Sequence, residues 1–203
     1  MPFFNEKFGN AASRNHPFGW AAEEGVDYAR EQISKLINCS EKEIIFTSGG
    51  TESNNIILRS CVKDLQVKRI VTSKIEHHAV LHTIEALQKE FGIQVDYVAI
   101  NKDGSIDISN LVELLSHNVK TLVSLMHVNN EVGAVLDIDL VARICQQNNA
   151  LFHSDTVQSV AKTELDLQNT PVDFIVAAAH KFHGPKGIGF AFIRKNSGLQ
   201  PLI

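Results

Sequence analysis

"VDFIVAAAHKFHGPKGIGFAFI" (172–193) is the stretch on which the fold turns. Residues 172–179 form a near-continuous apolar run, the mark of a strand buried on both faces. "IGFAFI" (188–193) is a second strand, and only a short glycine-rich turn, Gly184–Gly187, leads into it. A parallel partner would need a long crossover, so these two strands are predicted to pair antiparallel. Between them stand His180 and Lys181. Burying an unpaired ammonium costs several kcal/mol, so Lys181 must be exposed, paired or chemically used.

Upstream, the chain alternates between helical and strand patterns. Val26, Ala29, Ile33 and Leu36 or Ile37 recur at helical spacing. "EIIFT" (43–47) reads as a strand running into Ser48-Gly49-Gly50, and residues 51–65 read as a helix with Thr51 at its start. Strand 69–73, helix 78–90, strand 94–100 and a short helix at 108–116 follow. Strand 121–128, helix 138–148 and strand 150–155 complete the run up to 172. Strands separated by helices imply a mostly parallel sheet with helices on both faces. The expected fold class is therefore α/β, three-layered, with one antiparallel strand.

The 203 residues are 44% hydrophobic with a net charge of -4, and the mean hydropathy is close to zero. That supports a folded core and gives no electrostatic case for nucleic acid. No apolar run reaches the roughly 20 residues a membrane span needs. The start, "MPFFNEKFGN", lacks the pattern of a secretory signal. Cys39, Cys61 and Cys145 are odd in number and widely spaced, which fits a reducing, cytoplasmic setting.

In an open α/β sheet, ligands bind beyond the carboxyl ends of the strands. The unusual polar residues fall there. Thr51 follows the first strand, His77 the second, Asn129-Asn130 the segment "SLMHV", Asp155 "ALFHS", and His180-Lys181 "FIVAAA". A strand-end lysine, partly shielded from water, can form a Schiff base with a carbonyl. An enzyme using pyridoxal 5'-phosphate needs such a lysine, a carboxylate for the pyridinium nitrogen and a phosphate cradle. Gly49-Gly50-Thr51 at a helix start offers the cradle and Asp155 the carboxylate. Asn130 and Gln158 are placed to bond a ring hydroxyl, and His77 to lie against the ring.

Each residue also has an ordinary reading. Thr51 can simply begin a helix, Asp155 can serve a turn, and His77-His78 can be surface groups. His180 and His183 have a spacing seen in zinc sites, but no cysteine or carboxylate lies near them in sequence, so no metal is expected. "GPKGIG" lacks the Gly-Lys-Ser/Thr ending of a phosphate-binding P-loop and leads into a strand.

Taken together, the segments "FGNAASRNHPFGWAAEEGVDYAR", "EIIFTSGGTESNN", "SKIEHHAVL", "SLMHVNNEVG", "FHSDTVQSVAK" and "AHKFHGPKGIG" resemble the cysteine desulfurases of iron–sulfur cluster assembly. These are class V aminotransferase-like enzymes of the pyridoxal-phosphate fold type I. The resemblance runs from about Phe8 to Arg194. It implies that Lys181 holds the cofactor covalently and that Gly50, Thr51 and His180 contact its phosphate. His77 would stack on the ring and take part in catalysis, Asn130 and Gln158 would lie near the ring hydroxyl, and Asp155 would pair with the ring nitrogen. The implied substrate is L-cysteine, and the implied partners are a sulfur-acceptor or scaffold protein and, in the intact enzyme, a second copy. Ala178 stands where the family has a serine on the phosphate, and Ala11 where it has a proline.

The resemblance also implies that residues 1–203 form the cofactor-binding large domain, truncated at both ends. The small C-terminal domain, with its substrate-binding arginine and its loop cysteine, is expected to be absent, so little sulfur transfer is expected of the chain by itself. A selenocysteine lyase or another class V aminotransferase shares the same cofactor site. A catalytically silent scaffold is the non-enzymatic alternative.

Overall fold

The structure, a computed structural model, describes residues 2–200. Residue 1 and residues 201–203, the ends of the expected 1–203 unit, lie outside the described residues. The helices are α1 (Pro2–Asn5), α2 (Pro17–Leu36), α3 (Gly50–Lys63), α4 (His78–Phe91), α5 (Ile108–Leu115) and α6 (Ile138–Gln147). The strands are β1 (Ile44–Thr47), β2 (Arg69–Thr72), β3 (Gln94–Tyr97), β4 (Thr121–Ser124), β5 (Leu151–Asp155), β6 (Phe174–Ala178) and β7 (Gly189–Ile193).

All seven strands join one sheet in the order β1-β7-β6-β5-β4-β2-β3. β7 runs antiparallel to both its neighbours, β6 and β1. The pairs β6–β5, β5–β4, β4–β2 and β2–β3 are parallel. The expected single reversed strand is thus β7, set by the short turn after Gly184.

The alternation of side chains along each strand divides the core in two. Ile70, Leu122, Phe174 and Val176 pack with Ile57, Leu58 and Cys61 of α3 and with Val80, Ile84 and Leu87 of α4. Their neighbours Val71, Val123, Phe152, Ile175 and Ala177 pack on the opposite face with Leu111, Val141 and Cys145 of α5 and α6. Each fully buried Leu, Ile or Phe contributes about 1.5–3 kcal/mol. Both faces are covered, which makes the three layers.

Several boundaries differ from expectation. The strand expected at 121–128 ends at Ser124. Its neighbour β2 stops at Thr72, so beyond Ser124 the chain keeps only its β5 side, through the Leu125 and His127 amides to the His153 and Asp155 carbonyls. β3, at the sheet's edge, stops at Tyr97 because its one neighbour, β2, ends opposite it at Thr72. α2 begins at Pro17, whose missing N–H suits a first helical position, with His16 as its cap. The four-residue α1 has no periodic signal long enough to read.

Candidate active site

At the carboxyl ends of the parallel strands lies a cavity of about 220 Å³. All eight expected residues line it: Gly50, Thr51, His77, Asn130, Asp155, Gln158, His180 and Lys181.

The loop after β1 supplies the first wall. Gly49 adopts φ 151° and ψ -175°, a conformation essentially reserved for glycine. A side chain at Gly50 would come within 2.8 Å of Val157 Cγ2, so only glycine fits between the start of α3 and the end of β5. No side chain caps α3, whereas His77, Asp107 and Asp137 cap α4, α5 and α6. Its first N–H groups and the positive end of its dipole remain available to an anion, beside the exposed Thr51.

Asp155 ends β5 and forms the buried floor, 5% exposed. Oδ1 accepts the Val157 amide at 3.0 Å and Oδ2 accepts Asn54 Nδ2 at 2.9 Å. Burial raises this carboxyl above its ordinary range, opposed by those two hydrogen bonds and by the charge of His77. No ion pair among the described residues includes Asp155. A buried carboxylate with hydrogen bonds and no cation is a seat for a cationic ligand group.

Asn54 was not anticipated as a site residue. Its signal is a polar residue in an apolar stripe: Asn54, Ile57, Leu58 and Cys61 share one face of α3, and all four are buried. Met126, Val157 and Ala79 also line the cavity without having been foreseen.

His77 caps α4, its Nδ1 accepting the Ala79 amide at 3.1 Å. That bond leaves its exposed ring at the rim. Asn129, buried behind the rim, joins the two loops that carry His77 and Asn130. Its Nδ2 donates to the Ile75 carbonyl at 2.7 Å, and its Oδ1 accepts the Glu131 and Val132 amides at 2.9 and 2.8 Å.

Lys181 departs from the expectation of partial shielding: it and His180 are exposed. β6 ends at Ala178, and one 3-10 turn, Ala179–Lys181, carries the lysine beyond the sheet. Ala179 pins that turn. Its amide donates to Ile188 O at 3.0 Å, and its carbonyl accepts Phe182 and Gly184 at 3.0 and 2.8 Å. A side chain at Gly184 would lie 2.7 Å from Ala179 Cβ, so the glycine-rich segment serves close packing of this turn.

None of the cysteines lines the cavity. Cys61 and Cys145 are buried, and burial pushes both thiols far up. Half-buried Cys39 is pushed up to about 12, by burial first and then by Glu43. Among the described residues, no group of three or more His, Cys, Asp or Glu side chains is placed to hold a metal ion. No described helix is long and apolar enough to cross a membrane.

Comparison with known proteins places this geometry in a family. The chain is 47% identical over 197 residues to "Cysteine desulfurase IscS" of Buchnera aphidicola subsp. Acyrthosiphon pisum (strain 5A), covering 96% of this chain and 48% of that protein. It is 45% identical over 195 residues to the protein of the same name in Vibrio vulnificus (strain YJ016), covering 95% and 48%. It thus spans about half the length of the curated relatives it matches. Among solved structures, a "NIFS-LIKE PROTEIN" superposes with a TM-score of 0.94 at 39% identity, over 100% of this chain and 56% of the other. "SspA in complex with cysteine" superposes at 0.92 with 33% identity, over 100% and 59%. With residues 1–202 matching the family described as "Aminotransferase class-V", the chain belongs to that family.

Proposed function

We propose that this chain is the pyridoxal-phosphate-binding part of a cysteine desulfurase that takes sulfur from L-cysteine for iron–sulfur cluster assembly. Members of its family depend on pyridoxal 5'-phosphate. The observation that carries the reading is the cavity's arrangement of charge. An uncapped helix start and, without an ion-pair partner among the described residues, a buried carboxyl and an exposed lysine all face one space. Those features answer a phosphate, a ring nitrogen and an aldehyde on one small molecule.

The bound cofactor supplies an electron sink for a bond broken at the substrate's Cα. The remaining work falls to this chain's residues. Gly50, Thr51 and His180 bind the phosphate. Asp155, held by Asn54 and Val157, keeps a proton on the ring nitrogen. Asn130 and Gln158 would bond the ring hydroxyl, and His77 would pack against the ring. Lys181 would hold the cofactor, and its Nζ would move the proton at the substrate's Cα.

The thiol that receives sulfur lies outside these residues, since no cysteine here reaches the cavity and every thiol is pushed up by burial. We read residues 1–203 as the large domain of a longer enzyme, working as a homodimer with a sulfur-acceptor or scaffold protein. The three free thiols suit the cytoplasm. The names of the relatives favour a desulfurase over a selenocysteine lyase, another aminotransferase or a silent scaffold.

Adding pyridoxal phosphate to the purified chain tests the reading. A visible absorbance band is expected, and Lys181→Ala removes it without loss of the fold by circular dichroism. No band with the wild-type chain overturns the proposal.

A further inference from the structure

Glu76 has no part in the reading above, yet it directly precedes His77 and is 6% exposed. Its Oε1 accepts the Ser73 hydroxyl at 2.6 Å, while Oε2 has no hydrogen-bond partner among the described residues. The side chain lines a second, separate cavity of about 20 Å³, walled also by Ser73, Ser105, Met126 and Asn129. That space suits one water molecule with polar partners.

The charged groups around it give no counterion. Lys74 is turned away, its Nζ 5.8 Å from the Tyr97 ring centroid. Asp103 accepts the Ser105 hydroxyl, His77 directs Nδ1 to the Ala79 amide, and Asp155 adds only repulsion. Burial pushes the Glu76 carboxyl up to about 8, opposed by the Ser73 hydroxyl and by the Met126 amide of the facing segment. A neutral acid fits what the site offers: it accepts from Ser73 and has an O–H to donate into the small cavity.

We propose that Glu76 is a positioning residue: as a neutral acid it fixes the 73–77 loop against the 126–136 segment and so sets the His77 ring at the rim of the cofactor cavity. This rests on the reading of His77 as the residue over the cofactor ring. Asn129 already ties the same two segments through Ile75; Glu76 is the tie that titrates. When Glu76 ionises, the carboxylate draws water into the seam and His77 loses its fixed position.

The sign of the stability effect follows from the raised carboxyl. Stability from the neutral form is complete below the unfolded value of 4.5 and is lost as pH rises through about 8.

The test compares wild type with Glu76→Gln, which is neutral at every pH and matches the shape. In the cofactor-free chain, the wild-type melting midpoint is expected to fall between pH 5 and pH 9 by roughly 5 °C more than that of E76Q. The NMR shift of the His77 ring in wild type is expected to show an inflection near the Glu76 transition that E76Q lacks. Parallel melting curves, or a wild-type His77 ring with no such inflection, overturn the proposal. With pyridoxal phosphate, wild-type affinity is expected to weaken from pH 7 to pH 9 by roughly threefold more than that of E76Q. Equal pH dependence overturns the positioning role. Absence of a cofactor band in both proteins overturns the cofactor reading instead, and the cofactor-free measurements still decide on Glu76.

Discussion

The two ends of the sheet satisfy their polar groups in opposite ways. At the amino end, Arg194 donates to the carbonyls of Val172, Leu167 and Thr170 at 2.8, 2.8 and 2.9 Å. Asp173 accepts the Phe152 amide at 2.8 Å. Among the described residues, the buried side-chain atoms without a hydrogen-bond partner include Asn54 Oδ1, Thr72 Oγ1, Glu76 Oε2 and Ser154 Oγ toward the carboxyl end, and His153 Nε2 in the middle of β5. Of these residues Asn54 lines the cofactor cavity, so its unpaired oxygen beside Asp155 is the one that bears on the site. One end closes on itself with hydrogen bonds; the other opens into the cavity lined by Asp155 and Lys181.

That contrast can be broken from either side. Arg194→Ala should cost about 3 kcal/mol, read by urea unfolding, because carbonyls lose a charged donor. Cofactor affinity should stay unchanged; an equal loss of affinity would erase the distinction between the ends. Asp155→Asn should do the reverse. It removes a carboxylate that burial disfavours, so the cofactor-free chain should melt no lower, while pyridoxal phosphate binds roughly 30-fold more weakly.

Asn129→Ala lies between the two. It should lose about 1–2 kcal/mol of stability and also weaken cofactor binding, because one side chain holds the loops of both His77 and Asn130. Calorimetry of the free and loaded protein reads both effects. The smallest effect is a gain: Ala178→Ser puts a hydroxyl on the cavity wall and should tighten phosphate binding by about 0.5–1 kcal/mol. Unaltered affinity there would mean that the α3 start already meets the phosphate's needs.

Acid pH sharpens the contrast further. His153 is buried, with Nδ1 on the Ser124 hydroxyl at 2.9 Å, and burial pushes it down to about 3. Its folded value lies below its unfolded one, so its contribution is present above the unfolded value of 6.5 and is lost as pH falls through about 3. A His153→Gln chain should show a flatter melting profile between pH 6.5 and pH 4.

How much of this was legible in the sequence depended on how locally each feature is determined. The apolar run 174–178 and the short return after Gly184 left β7 no choice but to pair with β6, whereas its second neighbour, β1, is set by the tertiary fold. The strand-end positions of Thr51, His77, Asp155 and Lys181 followed from the alternation of helix and strand alone. Asn54 escaped because its partner, Asp155, is 101 residues away, and a polar residue on a buried helical face becomes a site only once its neighbours are known. The exposure of Lys181 escaped for a different reason. An apolar run does not reveal that one 3-10 turn follows the strand and lifts the lysine clear.

The central claim, that the carboxyl end is built for pyridoxal phosphate held on Lys181, is tested most directly by trapping. The chain is loaded with pyridoxal phosphate, reduced with borohydride, digested and mapped by mass spectrometry. The account predicts one dominant adduct, on Lys181, that Asp155→Asn diminishes. Adducts spread over the surface lysines, with Lys181 no more labelled than Lys186 or Lys195, would contradict it.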